Sequence, residues 1–187
     1  ESVQNPLKYY ENNLISTMNL LRCMDRFNVC PVVFSSSCTV YGNPDELPVG
    51  ENAPIKEAES PYGNTKKMGE DILRDFSSIC DVNVISLRYF NPIGAHETAH
   101  IGEFQDGEPH HLVPYITETA VGKREFLRVF GGDYDTRDGS CVRDYIHVMD
   151  IAEAHILAVQ RLIDAKNEGS FEVYNLGSGD GSTVLEM

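Results

Sequence analysis

Segments of helical and of strand-like period alternate along this chain, and few folds accept that order. From Leu7 to Phe27 the apolar residues Leu7, Tyr10, Leu14, Met18, Leu21 and Met24 recur at three- and four-residue steps, the spacing of a helix with one buried face. Pro31 separates that helix from Val32-Val33-Phe34, an apolar run that stops in Ser35-Ser36-Ser37. A strand covered on both faces reads this way, because neither face meets water. Ser60-Pro61 then opens a second helix: Ser60 can accept from first-turn amides, and Pro61 suits a position whose N–H would have no partner. Met68, Ile72, Phe76 and Ile79 are its expected buried stripe. Val82 to Leu87, Phe126 to Phe130 and Phe171 to Leu176 are expected strands, and Asp150-Ile151-Ala152-Glu153 is an expected capping box opening a helix to about Ala165. Thr183-Val184-Leu185-Glu186 repeats the capping-box spacing. Strands alternating with helices predict an α/β fold built on a parallel sheet.

Charge narrows the possible partners. The 187 residues carry 29 Asp plus Glu against 15 Lys plus Arg, a net charge of −14, which argues against nucleic acid or an anionic membrane surface as the main partner. An anionic ligand would need locally placed Arg or backbone N–H groups. No apolar run approaches the about 20 residues of a bilayer-crossing helix, and Glu1 to Pro6 lacks a signal-peptide pattern. Cys23, Cys30, Cys38, Cys80 and Cys141 form no C-x-x-C pair, so buried thiols in a reducing cytoplasm are expected. His96, His100, His110 and His111 lack a carboxylate or cysteine at ligand spacing, and no metal site is expected. The absent initiator Met and the late capping box suggest a piece cut from a longer protein.

The chemically loaded spacing is Tyr62-Gly63-Asn64-Thr65-Lys66. Residues four apart share a helix face, so the phenol of Tyr62 and the ammonium of Lys66 can stand side by side. Tyr62 also falls in the first turn, where the helix dipole favours an anion. Making a phenol of pKa about 10 a base near neutrality takes about 3 units, or roughly 4 kcal/mol. The helix end supplies only about 0.3 to 1 kcal/mol. Lys66 and a further cation must carry most of the difference. Cys38, beside Ser37, reads as a small packing residue, and the acidic stretch Gly50 to Glu59 as a solvated loop.

Four motifs, Phe34-Ser35-Ser36-Ser37-Cys38-Thr39-Val40-Tyr41-Gly42, Ser60 to Lys66, Arg88-Tyr89-Phe90-Asn91-Pro92-Ile93-Gly94-Ala95 and Val142-Arg143-Asp144-Tyr145-Ile146-His147-Val148, together resemble the extended short-chain dehydrogenase/reductase family, and within it the enzymes that epimerise nucleotide sugars at C4. The resemblance implies a Rossmann-like doubly wound parallel sheet, incomplete because its first βαβ half is missing, with residues 1–92 belonging to the NAD-binding domain. Residues 93–187 would form part of a smaller substrate domain, with interleaving of the two left open. It implies interconversion of UDP-glucose and UDP-galactose by transient oxidation at C4. Tyr62 would be the base, Ser37 would hold the 4-hydroxyl, and Lys66 would hold the nicotinamide ribose. Asn12 and Phe90 would also contact NAD. Asn91, His111, Leu112, Arg128, Val129, Phe130 and Arg143 would face the UDP-hexose, with Phe130 against uracil and Arg143 on the diphosphate. A homodimer paired through the helices near Leu7 and Pro61 is the expected assembly.

The chain departs from the family's pattern in two places. His110-His111 stands where paired asparagines are usual, and His111 could donate the hydrogen bond expected of the second. The glycine-rich turn after the first strand is absent, and Gly177-Ser178-Gly179-Asp180-Gly181 comes too late in the chain to replace it. A 4,6-dehydratase of the same family is the main alternative, but it is expected to carry an Asp-Glu pair where Cys38-Thr39 stands. A non-catalytic binding fragment is the other.

Overall fold

The computed structural model describes residues 1–103 and 107–187, which sort into two compact units, Glu1–Phe90 with Ile151–Leu176, and Asn91–Asp150 with Gly177–Met187. In chain order the elements are α1 (Pro6–Tyr10), a π-helical turn (Glu11–Ile15), α2 (Ser16–Phe27), β1 (Pro31–Ser37), a 3-10 turn (Cys38–Tyr41), α3 (Pro61–Ile79), β2 (Asn83–Tyr89) and β3 (Asn91–Ile93). They continue with α4 (Leu112–Ala120), β4 (Val142–Arg143), β5 (Tyr145–His147), α5 (Val148–Ile163), β6 (Phe171–Leu176) and β7 (Ser182–Thr183). Residues 151–176, which a division at residue 92 assigns to the second half, pack with the first unit.

The first unit is a three-stranded parallel sheet in the order β1-β2-β6. Successive residues of a strand point to opposite faces. Val32, Phe34 and Val84 therefore meet Leu21, Met24 and Leu73 on one side, while Val33, Ile85 and Leu87 meet Ala158 and Leu162 on the other. Burial on both sides explains the unbroken apolar run.

The helices correct several sequence expectations. The π-helical turn inserts extra backbone into the predicted first helix and shifts its face, so Leu7 is 69% exposed and Leu21 and Met24 carry the burial. Asn28 ends α2 in the left-handed region, φ 55°, where its amide bonds back to Asp25 O. In α3, Ser60 caps and Pro61 opens the helix as expected, yet Met68 and Ile79 face outward. The buried face is Gly63, Thr65, Gly69, Glu70, Leu73 and Ser77. A Cβ on Gly69 would lie 2.8 Å from Phe34 Cζ, so only glycine lets α3 settle this closely on β1. α5 starts at Val148 with the His147 ring accepting from the Met149 amide, which puts Asp150 inside the first turn rather than at the cap.

A buried ion pair joins these layers. Glu70 and Arg88 side chains are 4% and 3% exposed, and the guanidinium grips the carboxylate through Nε at 2.9 Å and an Nη at 2.5 Å. Ser36 and Ser86 hydroxyls donate to the same carboxylate at 2.6 and 2.9 Å. Arg88 also donates to Tyr41 Oη, which donates to Asn175 on β6. The acidic loop is drawn in as well, because the Glu51 carboxylate accepts from the Asn175 amide.

The second unit holds β3 parallel to β5 and β4 antiparallel to β7. Thr183 and Glu186 exchange both capping-box hydrogen bonds. Residues 126–130 form no strand: they run as irregular chain with Phe126 55% and Phe130 80% exposed. No cysteine is in a disulfide, and none is fully buried, Cys23 being exposed and the other four half-buried. Among the described residues no helix is long and apolar enough to cross a membrane.

Burial by itself raises the pKa of Glu70, but hydrogen bonds from Arg88, Ser36 and Ser86 outweigh it and hold the carboxyl below its ordinary value. The stabilisation it gives is complete above the unfolded carboxylate pKa and is lost as pH falls through the depressed folded one. Glu70→Ala in the complete protein leaves Arg88 buried and uncompensated, and is expected to cost about 3–5 kcal/mol, read as a lowered urea midpoint.

Candidate active site

The three serines that end β1 are engaged by three different partners. Lys66 Nζ donates to the Ser35 carbonyl at 2.9 Å, and Ser35 Oγ lies 3.0 Å from His155 Nε2. His155 Nδ1 faces the Ile151 carbonyl at 2.8 Å and must donate there, so in the neutral ring Nε2 accepts from Ser35. Ser36 serves Glu70. Ser37 is 6% exposed, caps the 3-10 turn by accepting from the Thr39 amide, and lies beside the phenol of Tyr62, whose pKa its hydroxyl lowers. Gly63 allows this approach, since a Cβ there would press within 3.3 Å of Thr39.

Tyr62 and Lys66 share a face of α3, with the ammonium 5.5 Å from the centre of the Tyr62 ring and the same distance from Phe34. Tyr9 packs edge-on against Tyr62 at 6.2 Å. Burial raises the phenol's pKa, neighbouring Tyr89 adds to that, and the Ser37 hydrogen bond opposes both. Burial also lowers that of Lys66. In this chain the phenol thus ends above, not below, its ordinary value, and Lys66 does not bring it to neutrality.

The other expected cofactor contacts sit in the same unit. Asn12 is exposed in the π-helical turn, its amide donating to Asn13 Oδ1, while Asn13 itself reaches Thr65 on α3 at 2.9 Å. Phe90 is half-buried directly after β2, its amide bonded to Leu176 O. Sequence reasoning missed Tyr9, Glu70 and Arg88. A signal for the last two existed in the charge at position 88 of an otherwise apolar strand and the acid one turn beyond Lys66.

The second unit has its own open pocket, of about 620 Å³. His111, Leu112, Arg128 and Phe130 line it, as does Arg124, which was not anticipated. His111 is the N-cap residue of α4 but makes no side-chain cap bond, so it leaves the positive end of that helix to other partners. Arg124 lies over the Tyr115 ring at 4.5 Å and is paired with Glu108 and Glu118. Arg128 lies over Phe126 at 5.4 Å. Three expected substrate residues do not line this pocket. Val129 is 40% exposed on the same segment, Asn91 donates its amide to Asp144 O at 2.8 Å, and Arg143 is exposed with an Nη donating to Val142 O. The glycine stretch after β6 is occupied: Ser178 N, Ser178 Oγ and Gly179 N all donate to the Asp144 carboxylate, which leaves no phosphate cradle there.

A parallel strand ending in serines beside a helix carrying Tyr-x-x-x-Lys is the arrangement of one enzyme class, and the chain belongs to the NAD dependent epimerase/dehydratase family, which it matches over residues 1–177. Among curated relatives it is 53% identical, over its whole length, to UDP-glucose 4-epimerase 2 of Arabidopsis thaliana, of which it covers 53%. The UDP-glucose 4-epimerase of Stenotrophomonas maltophila, solved with NAD and formylated UDP-arabinopyranose, superposes with a TM-score of 0.93 at 47% identity; all of this chain is covered and 55% of that one. The Bifidobacterium longum UDP-glucose 4-epimerase, solved with NAD+ and UDP, gives 0.88 at 48% identity, again covering all of this chain and 55% of that one. The chain spans about half the length of the curated relatives it matches.

Ser37→Ala removes the one hydrogen bond that lowers the Tyr62 pKa, so the phenol is expected to titrate still higher. Ring-carbon NMR of labelled tyrosine, assigned with Tyr62→Phe, reads the shift, and an unmoved titration would detach Ser37 from Tyr62.

Proposed function

We propose that the complete protein interconverts UDP-glucose and UDP-galactose, with Tyr62 as base, Ser37 holding the sugar's 4-oxygen and Lys66 holding the nicotinamide ribose. The observation that carries this reading is the half-buried phenol of Tyr62, one helical turn from Lys66, whose ammonium lies 5.5 Å from the ring centre, and beside the hydroxyl of Ser37. The residues suit NAD on two counts. Among the described residues Lys66 makes one hydrogen bond, to Ser35 O, and an ammonium has three N–H donors, so it can also serve a diol. Burial raises the Tyr62 pKa, and a cationic ring alongside would reverse that. When bound, NAD would supply the hydride acceptor, and then donor, for C4.

Tyr62 takes the 4-hydroxyl proton as the C–H bond breaks and gives it back when the hydride returns to the opposite face of the ketone. Ser37 keeps the oxygen within reach through both steps. Lys66 favours the phenolate while it lasts. Inversion at C4 follows because the keto sugar turns between the two transfers. In the second unit, Phe130 would receive the uracil, His111 and Arg143 the diphosphate, and Asn91, Leu112, Arg128 and Val129 the remaining contacts. Asn12 and Phe90 would complete the NAD contacts. A cytoplasmic homodimer is part of the proposal, paired through α1, α2 and α3, where Leu7, Leu20, Met68 and Ile79 are exposed; a monomer by size analysis at micromolar concentration would contradict it. The isolated 187-residue segment is expected to be inactive.

Incubation of the complete protein with UDP-galactose tests the reading. UDP-glucose is the expected product, whereas a 6-deoxy-4-keto sugar would mark a dehydratase and no product would remove both. Tyr62→Phe should lower turnover roughly 10²-fold or more with NAD still bound. Arg143→Ala should weaken UDP-sugar binding by about 1.5–3 kcal/mol, measured by calorimetry, and an unchanged affinity would place the phosphate anchor elsewhere.

A further inference from the structure

Glu70 stands one turn beyond Lys66 and two beyond Tyr62 on α3, and its Oε1 accepts hydroxyls from both neighbouring strands. The donors are nearly equivalent. Ser36 and Ser86 are each 0% exposed, and each donates to the same oxygen, at 2.6 and 2.9 Å. What differs is the next residue in the chain. Ser86 sits within β2 opposite Phe34, flanked by the core residues Ile85 and Leu87. Ser36 directly precedes Ser37, at the point where β1 turns into the 3-10 segment.

We propose that Ser36 is a positioning residue: held by Glu70, it pins the end of β1 to α3 and thereby sets how the Ser37 hydroxyl meets the oxygen of Tyr62. The inference deepens the reading of Tyr62 as base and rests on it. Ser36 and Ser37 are consecutive and Ser37 is where the chain leaves the strand for the 3-10 turn, so a hydroxyl clamped at Ser36 holds the peptide that carries Ser37. Hydrogen bonds weaken steeply with angle, so a small rotation at Ser36 is felt at Ser37. Glu70 is suited to the task because Arg88 holds its carboxylate from two nitrogens. The groups that face Tyr62 are Tyr9 from α1, Ser37 and Cys38 at the end of β1 and the start of the turn, Tyr89 from β2, and Lys66 on its own helix. Of these, Ser37 is the one whose place Ser36 controls.

The test compares two deletions in the complete, NAD-loaded protein. Ser36→Ala and Ser86→Ala each remove one hydroxyl from Glu70 and are expected to lower the melting temperature by similar amounts. Ser36→Ala alone should reduce kcat about 10-fold, part of what a 1 Å misplacement can cost, with KM within about twofold. It should also move the acid limb of the kcat profile, and the NMR titration of Tyr62, to higher pH. Ser86→Ala should leave kcat, KM and the titration at wild-type values. Equal kcat and equal Tyr62 titration in the two variants would overturn the proposal. So would failure of Ser36→Ala to fold, with or without Ser86→Ala, because the hydroxyl would then be a folding determinant. If Tyr62→Phe keeps full turnover, the base assignment falls, yet the titration still decides whether Ser36 governs the environment of Tyr62.

Discussion

A carboxylate and a guanidinium removed from water govern the first unit. Each buried charge costs several kcal/mol in lost hydration, recovered only when both ions are paired and their remaining hydrogen-bonding positions filled. Glu70 and Arg88 meet that condition with Ser36, Ser86 and Tyr41, donors and acceptors drawn from both strands and the turn between β1 and α3. An apolar contact tolerates sliding by fractions of an ångström, but this set of directional bonds does not. The spacing of α3 and the sheet is therefore fixed by charge as well as by packing, most directly for the site through Ser36, which precedes Ser37 in the chain.

The two units divide the chemistry between them. The first concentrates small polar residues and a lysine at the carboxyl end of a parallel strand, where side chains emerge from the sheet. The second brings cationic and aromatic residues together in an open pocket: Arg124 and Arg128 each lie over a ring, and Phe130 is bare. A chain of net charge −14 has little long-range attraction to offer an anion. Any such attraction would have to be local, from Arg128 and the end of α4, since Arg124 is already paired with Glu108 and Glu118.

Much of this was legible in the sequence because it is local. Ser60-Pro61 announces the start of α3 through bonds made within one turn, and the Tyr62–Lys66 spacing follows from helical pitch alone. β6 was placed to the residue, since its boundaries coincide with turn-forming sequence. What failed depended on distant partners. Phe126 to Phe130 has strand composition but no neighbouring strand among the described residues to pair with, and an isolated strand leaves its backbone unsatisfied. The stripe of Met68 and Ile79 was misjudged because the core side of α3 is chosen by Gly69 meeting Phe34 and by Glu70 meeting Arg88, contacts that hydropathy does not encode. Within the candidate site, the Tyr62–Lys66 pair was readable from helical spacing, and Ser37 only through the family resemblance. The pocket's Arg124 was not, since its aromatic support comes from Tyr115 on another element.

The partners of Glu70 also bear on strand alignment. β1 and β2 pair from Pro31 with Asn83 to Ser37 with Tyr89, and both are apolar enough to pair one step out of phase. A one-residue slip of β2 would set Ile85 or Leu87 where Ser86 meets Glu70 and turn Arg88 to the opposite face of the sheet. Ser86 and Arg88, two residues apart on β2, thus act as a phase marker: the alignment that brings both to Glu70 is the one in which Ser36 meets it as well.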